Sequence, residues 1–253
     1  MKRIFTPRNV KILSISLFFT LQASGVFPQS KQQDSLAILI VDRMSDVIGN
    51  LESCSYHLST TTDIVDPLFG HIKELASFEV FISGPDKMLV NAHGYRGHRQ
   101  LMYNGNELAY YSFDENNYGI LPVPATTIQM IDSVHTHYGI EFPAADFFYP
   151  AFTDDLLNEA DLFRFLGIVR MEGKEYFHLV ASTKDKNIEF WINNDAYNLP
   201  AKFVITYKTQ KGNPQYHASF SDWQINPVLP EAIFDFLPPA GAAQVRIMSQ
   251  NEQ

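Results

Sequence analysis

Asn187-Ile188-Glu189-Phe190-Trp191-Ile192, then Asn193-Asn194-Asp195, then Leu199-Pro200-Ala201-Lys202-Phe203-Val204-Ile205-Thr206-Tyr207 is the stretch that decides the fold. It runs on to Phe220-Ser221-Asp222-Trp223. Ile188, Phe190 and Ile192 alternate with Glu189, Trp191 and Asn193, and Phe203, Ile205 and Tyr207 alternate with Lys202, Val204 and Thr206. Period-two alternation of β-branched and aromatic residues between Asn/Asp/Pro clusters predicts antiparallel strands. Trp191 and Val204 fall on the face that should be wet. A sheet with apolar groups on both faces must cover the second one. The expectation is that helices roof it, with Trp191 either packed beneath a helix or forming the wall of a ligand space.

Upstream, similar runs occupy 53–62, 75–83, 88–93, 99–103, 107–113 and 118–121. Downstream they occupy 164–171, 175–182, 187–193, 201–208 and 216–223. Asn104-Gly105-Asn106 is a strong hairpin signal, because Asn-Gly accepts positive φ at little cost. Gly84-Pro85-Asp86-Lys87 reads as a turn. Residues 63–74, with Pro67 and Gly70, read as a longer connection.

Three helices interrupt the strands. Leu36, Leu39, Ile40, Met44, Val47, Ile48 and Leu51 recur at helical spacing behind a cap at Asp34 or Ser35, and the helix ends near Gly49-Asn50. Ile128, Ile131, Val134 and Tyr138 follow a cap at Thr126 or Thr127, with Gly139 closing that helix. Thr153-Asp154-Asp155-Leu156-Leu157 predicts a short capped helix. The fold class is therefore α+β. It is a single curved antiparallel sheet of about eleven strands with helices covering the concave face, forming one domain over 26–253.

Residues 1–25 predict a cleaved signal peptide. Lys2, Arg3, Arg8 and Lys11 precede the apolar run from Ile12 to Leu21, and Ala23 and Gly25 are the small residues before the cut. The run is well short of the roughly 20 residues a spanning helix needs. The formal charge of the 253-residue chain is −9, and losing those four basic residues and no acid lowers it to −13. An acidic mature protein argues against nucleic-acid partners and against an electrostatic grip on anionic lipid. Cys54 is the single cysteine, so an intramolecular disulfide is excluded, and it reads as a buried inert thiol.

Catalytic and metal patterns are weak. His135 and His137 are two apart on a helix and point to different faces. His93 and His98 flank a turn, but a zinc site needs three or four ligands. Neither a nucleophile elbow nor a phosphate-cradling glycine loop is present. Asp154-Asp155 and the Asp185/Glu189 pair read as cap and solvated-strand groups. His178, between Phe177 and Leu179, reads as a hydrogen-bonded core or rim residue. No catalytic residue, metal ligand or cofactor is expected. What remains is an aromatic supply of 20 Phe, 12 Tyr and 2 Trp, enough to fill a core and also line a cavity.

One resemblance runs through these residues in order. It is carried by Gly84-Pro85-Asp86-Lys87, Tyr103-Asn104-Gly105, Thr126-Thr127, Tyr138-Gly139, Pro143-Ala144-Ala145-Asp146 and His178-Leu179. It continues through Trp191-Ile192, Leu199-Pro200-Ala201-Lys202, Asp222-Trp223, Phe234-Asp235-Phe236 and Pro238-Pro239-Ala240-Gly241. The chain from about Leu36 to Ile247 resembles the bacterial family of predicted periplasmic proteins known as domain of unknown function 2092. That family is similar to the outer-membrane lipoprotein carriers. The resemblance implies a half-open β-barrel whose helices lid a hydrophobic cavity. It also implies a periplasmic location and the binding of a lipid or acyl chain, with no catalytic residues.

The expected function is binding of a lipid, acyl chain or other hydrophobic ligand between sheet and helices, as in a lipid or lipoprotein carrier. The expected wall is Phe78, Val80, Ile82, Phe190, Trp191, Ile192, Phe203 and Ile205 from strands, with Leu36, Leu39, Ile40 and Ile131 from helices. A one-residue slip in register would turn every strand residue to the other face. The alternative is a non-catalytic envelope protein with a filled core, which binds envelope proteins or lipoproteins. A third reading, a hydrolase, requires His178, His93 or His98 to meet an acid and a hydroxyl.

Overall fold

A computed structural model describes residues 31–250, so the expected signal peptide lies outside the described residues. The chain runs β1 (Gln32–Gln33), α1 (Ser35–Gly49), β2 (Ser53–Asp66), β3 (Gly70–Ser83), β4 (Lys87–Gly94), β5 (Gly97–Tyr103), β6 (Glu107–Ser112) and β7 (Asn117–Pro122). It continues with α2 (Thr127–Tyr138), a 3-10 turn (Ala145–Phe148), α3 (Phe152–Glu159), β8 (Leu162–Met171), β9 (Lys174–Ser182) and β10 (Lys186–Asn193). Last come β11 (Pro200–Tyr207), β12 (Gln215–Ile225), a 3-10 turn (Glu231–Ile233) and β13 (Ala243–Gln244).

All strands join one sheet in the order β1-β8-β9-β10-β11-β12-β2-β3-β4-β5-β6-β7-β13. The order is linear, so the sheet is unclosed. It has thirteen strands rather than about eleven. The additional two, β1 and β13, are two residues long and pair in parallel with β8 and β7. Segments that short display no alternation to read. The expected connection over 63–74 is also wrong. Those residues extend the β2–β3 hairpin, with Ile64 opposite Ile72 and Asp66 opposite Gly70. Pro67 sits in the turn, where its missing N–H costs nothing. The Asp66 carboxylate accepts the Leu68 and Phe69 N–H groups at 2.8 Å each. Gly70 takes a φ of +78°, which favours glycine.

Topology explains why helices roof this sheet. β7 and β8 lie near opposite edges, so their connection must cross a face. That crossing carries α2, the first 3-10 turn and α3. In α1, Asp34 accepts the Leu36 N–H at 2.9 Å as the N-cap, and Ala37, Ile40, Val41, Met44 and Ile48 are buried. In α2, Thr126 caps through Gln129 N–H, and Gly139 closes the helix at φ 65°. Thr153 does not cap α3. That helix starts after Ala151, which offers no side-chain acceptor, and the Thr153 hydroxyl hydrogen-bonds Ser45 at 3.0 Å.

Two cores result. The concave core joins α1, α2, the first 3-10 turn and α3 to inward residues such as Leu58, Leu179, Phe190, Ile192, Phe203 and Phe220. A smaller one lies on the convex face of β3 to β7, where Leu89, Met102, Ala109 and Tyr111 meet Phe234 and Phe236. Over β3 to β7 the second apolar face is thus covered by the C-terminal segment, not by helices. Trp191 is correspondingly corrected. It lies on the convex face, opposite to its neighbours Phe190 and Ile192, stacked on His178 at 4.4 Å with the Lys202 ammonium 5.4 Å from its ring centre. It is neither helix-covered core nor ligand wall.

Candidate ligand-binding cavity

Beneath α2 the concave face is hollow. One cavity of about 330 Å³ is lined by Tyr56, Phe78, Val80, Ile82, Met88 and Val90 from β2, β3 and β4. Ile48 and Leu51 at the end of α1, Thr127, Ile128 and Ile131 of α2, and Phe142 and Phe148 of the crossing segment close it. A second cavity of about 340 Å³ adjoins it, sharing Phe78, Val90, Phe142 and Pro143. It opens between Thr60, Ala76, Ala92, Gly94, Arg99, Leu101 and Tyr110 of the sheet and Ile140–Pro143. Both volumes fall in the range of ligand pockets, roughly 300–1,000 Å³.

The register explains the hollow. Phe78, Ala92 and Arg99 sit opposite one another across β3, β4 and β5, and Ala76 faces Gly94. These inward positions carry mostly small side chains. Gly94 has no alternative, because a Cβ there would lie 2.8 Å from the Ala76 Cβ and 2.9 Å from the Leu75 carbonyl oxygen. On β10, β11 and β12 the inward positions carry Phe190, Phe203 and Phe220. Phe147 packs among them, with ring centroids at 6.2, 5.4 and 5.7 Å.

Of the expected wall, the structure brings Phe78, Val80, Ile82 and Ile131 together at the first cavity. Ile40, Phe190, Ile192 and Phe203 are buried in the filled part of the core, and Ile205 packs half-buried against it. Leu36 and Leu39 are 46% and 54% exposed. The helix turns its Ile40/Met44 stripe inward, which carries these two to the outer side. Three features escaped the sequence reading: Thr127, Phe142 and Arg99. The signal for Arg99 was present. It shares a strand face with Leu101 and Tyr103, a cation in an apolar row.

Polar groups at the first cavity are few, whereas Thr60, Thr62, Glu74, Arg96, Arg99 and Glu141 border the second. Away from both linings, in the core, the Tyr103 hydroxyl donates to the Pro124 carbonyl at 2.7 Å, and burial pushes its pKa up to about 12. Burial also pushes Tyr56 well above the ordinary phenol range. Three buried side-chain polar atoms lack a hydrogen-bond partner among the described residues: Arg99 Nε, Thr127 Oγ1 and Asn117 Oδ1. The first two belong to residues that line the cavities.

Of the histidines, His93 borders the second cavity. His178 Nε2 and the Glu189 carboxylate are 3.0 Å apart on the convex face, and among the described residues no hydroxyl bonds to that ring. His93 and His98 stack at 3.9 Å, and His98 stacks on Phe113 at 3.8 Å. The His98 pKa is lowered, first by desolvation and then by His93. Among the described residues no three His, Cys, Asp or Glu side chains are grouped to hold a metal ion. No helix among them is long and apolar enough to cross a membrane.

Several solved structures are similar to the chain. An uncharacterised conserved protein from Thermus thermophilus is similar at 17% identity, covering 83% of this chain and 99% of its own, with a TM-score of 0.48. LprF from Mycobacterium bovis is similar at 13% identity over 78% of this chain and 97% of its own, TM-score 0.47. The Mycobacterium tuberculosis lipoprotein LppX is similar at 15% identity over 78% and 99%, TM-score 0.42. No curated protein matches the chain at a significant level. Residues 37–248 match the family described as Predicted periplasmic protein (DUF2092). That match takes in nearly the whole of the roofed, unclosed sheet, and the chain therefore belongs to the DUF2092 family of periplasmic proteins.

Proposed function

We propose that the protein binds a lipid, acyl chain or other hydrophobic ligand between α2 and the sheet, and carries it through the periplasm. One observation supports this most: a preformed apolar cavity of about 330 Å³ sits beside the ring-packed core of β10 to β12. Each buried methylene gains about 0.8 kcal/mol, so about ten gain roughly 8 kcal/mol before immobilisation costs. Before those costs, that is the scale of a micromolar dissociation constant. No charged anchor is needed for useful affinity. Mass spectrometry of an organic extract of the purified protein tests the reading. Stoichiometric lipid is expected, and an extract without lipid, together with no uptake of 1-dodecanol, would sink it.

A second reading is an envelope interaction protein. The β2–β3 tip favours it, because Val65, Leu68, Phe69 and Leu75 are 69%, 81%, 73% and 64% exposed. Stable capture of an envelope protein by a lipid-free form, lost on replacing Leu68 and Phe69 by serine, would select this reading over the first.

A further inference from the structure

Arg99 is out of place for a purely apolar site. It stands in register with Ala92 and Phe78 on the concave face, at the cavity that opens between β3 to β5 and Ile140–Pro143. Its Nε is buried without a hydrogen-bond partner among the described residues. It joins none of the ion pairs found there. Three other charged side chains border the same cavity: Arg96, Glu74 and Glu141. Neither glutamate approaches Arg99 within ion-pair distance. A guanidinium stays protonated at any physiological pH and presents a planar fork of donors. Leaving such a group partly desolvated and unpaired destabilises the empty protein.

The complement of that arrangement is an oxyanion. We propose that Arg99 binds the carboxylate or phosphate head of an amphiphile whose chain passes Phe78, Val90 and Phe142 into the first cavity. This rests on the reading of the cavities as a ligand site and narrows it to an anionic ligand. The two cavities supply the two halves of such a molecule. The one with Arg99 has the more polar lining, and the one under α2 is lined almost wholly by hydrocarbon and aromatic groups. A carboxylate or phosphate fits the fork through two parallel N–H···O bonds, which a hydroxyl cannot make. Thr127, the other unpartnered buried group at the cavities, lies at the first and offers only a single hydroxyl.

Isothermal titration of delipidated protein at pH 8 with dodecanoate, dodecyl phosphate and 1-dodecanol tests the proposal. The two anions should bind at least tenfold more tightly than the alcohol, and inorganic phosphate alone should not compete. Arg99→Leu should erase the tenfold difference by weakening binding of the two anions. It should also raise the melting temperature of the empty protein, which separates a lost anchor from a damaged fold. Arg99→Lys should keep part of the preference. Equal binding of anions and alcohol by the wild type overturns the proposal. So does a preference that survives Arg99→Leu, one that is removed by Thr127→Val instead, or competition by inorganic phosphate at the same concentration as dodecyl phosphate. If none of the three chains binds, the ligand-cavity reading itself fails, an outcome distinct from failure of the Arg99 assignment alone.

Discussion

The same concave face is solid at one end and hollow at the other. Over β10 to β12 it is packed by Phe190, Phe203 and Phe220 against Phe147 and Phe152. Over β3 and β4 it presents Ala76, Val80, Val90, Ala92 and Gly94 around Phe78 and Ile82, and cavities remain. Both ends use the same strand geometry and the same crossing segment. Side-chain volume at inward positions makes the difference. One half is built as a core that holds the roof, and the other as a space the roof covers. Tyr56 marks the seam, with its ring 5.5 Å from Phe220 on the solid side and its edge on the cavity.

Truncation should separate the halves most. Phe147→Ala should cost about 3–5 kcal/mol, because neighbouring rings cannot collapse into the void. At 2–4 °C per kcal/mol for a domain of this size, the melting temperature should fall by roughly 6–20 °C by calorimetry. Phe78→Ala, which enlarges an existing space, should cost less than half as much. Equal losses would break the comparison. Enlargement should separate them next. Ala218→Phe, at a fully buried position, should overpack and cost about 1–3 kcal/mol. Val90→Phe should cost under about 1 kcal/mol in urea titration, yet weaken 1-dodecanol binding at least tenfold.

The roof itself can be loosened. Thr126→Ala removes the α2 cap and should lower stability by about 1 kcal/mol, with faster ligand release by stopped flow. The gentlest probe is the thiol. Burial pushes Cys54 up to about 12, so at pH 8 the folded protein carries no thiolate there. Iodoacetamide should label it only through opening of the core around β2, where Cys54 pairs with Ile82 and Ile225. The sign of the accompanying pH effect is fixed. Above pH 9 the unfolded chain ionises this thiol while the folded one does not, so stability falls as pH rises further.

Much of this was legible from residue order. Alternation located all the longer strands, and capping residues located α1 and α2 because Asp34, Thr126 and Gly139 act locally. Sidedness was the weak point. Leu36 and Leu39 belong to the same helical periodicity as Ile40, and only packing against β8 and α3 decides which edge of the stripe faces in. Phe78 and Phe190 are equally inward-facing phenylalanines. Whether each meets a ring or a space depends on partners far away in the chain. The convex cover by Phe234 and Phe236 was invisible for the same reason. An irregular segment carries no period to announce the face it will protect.

The two rims of the sheet are guarded unequally. At one rim β13 pairs with Asn117 and Tyr118 of β7, Val245 N–H reaches the Tyr118 carbonyl oxygen at 2.7 Å, and Pro122 ends the strand with no N–H to offer. At the other, among the described residues, β1 pairs with Leu162 and Phe163 of β8. Beyond them a bulge at Leu166, with Gly167 at φ +124°, interrupts the ladder. Unpaired strand edges are templates for another chain, and bulges twist them out of use. Leu166 and Ile168 stand 54% and 53% exposed on that stretch. Straightening the bulge would thus do more than change a local angle. It would turn a guarded rim into a self-templating one, with the growing stack extending from β8.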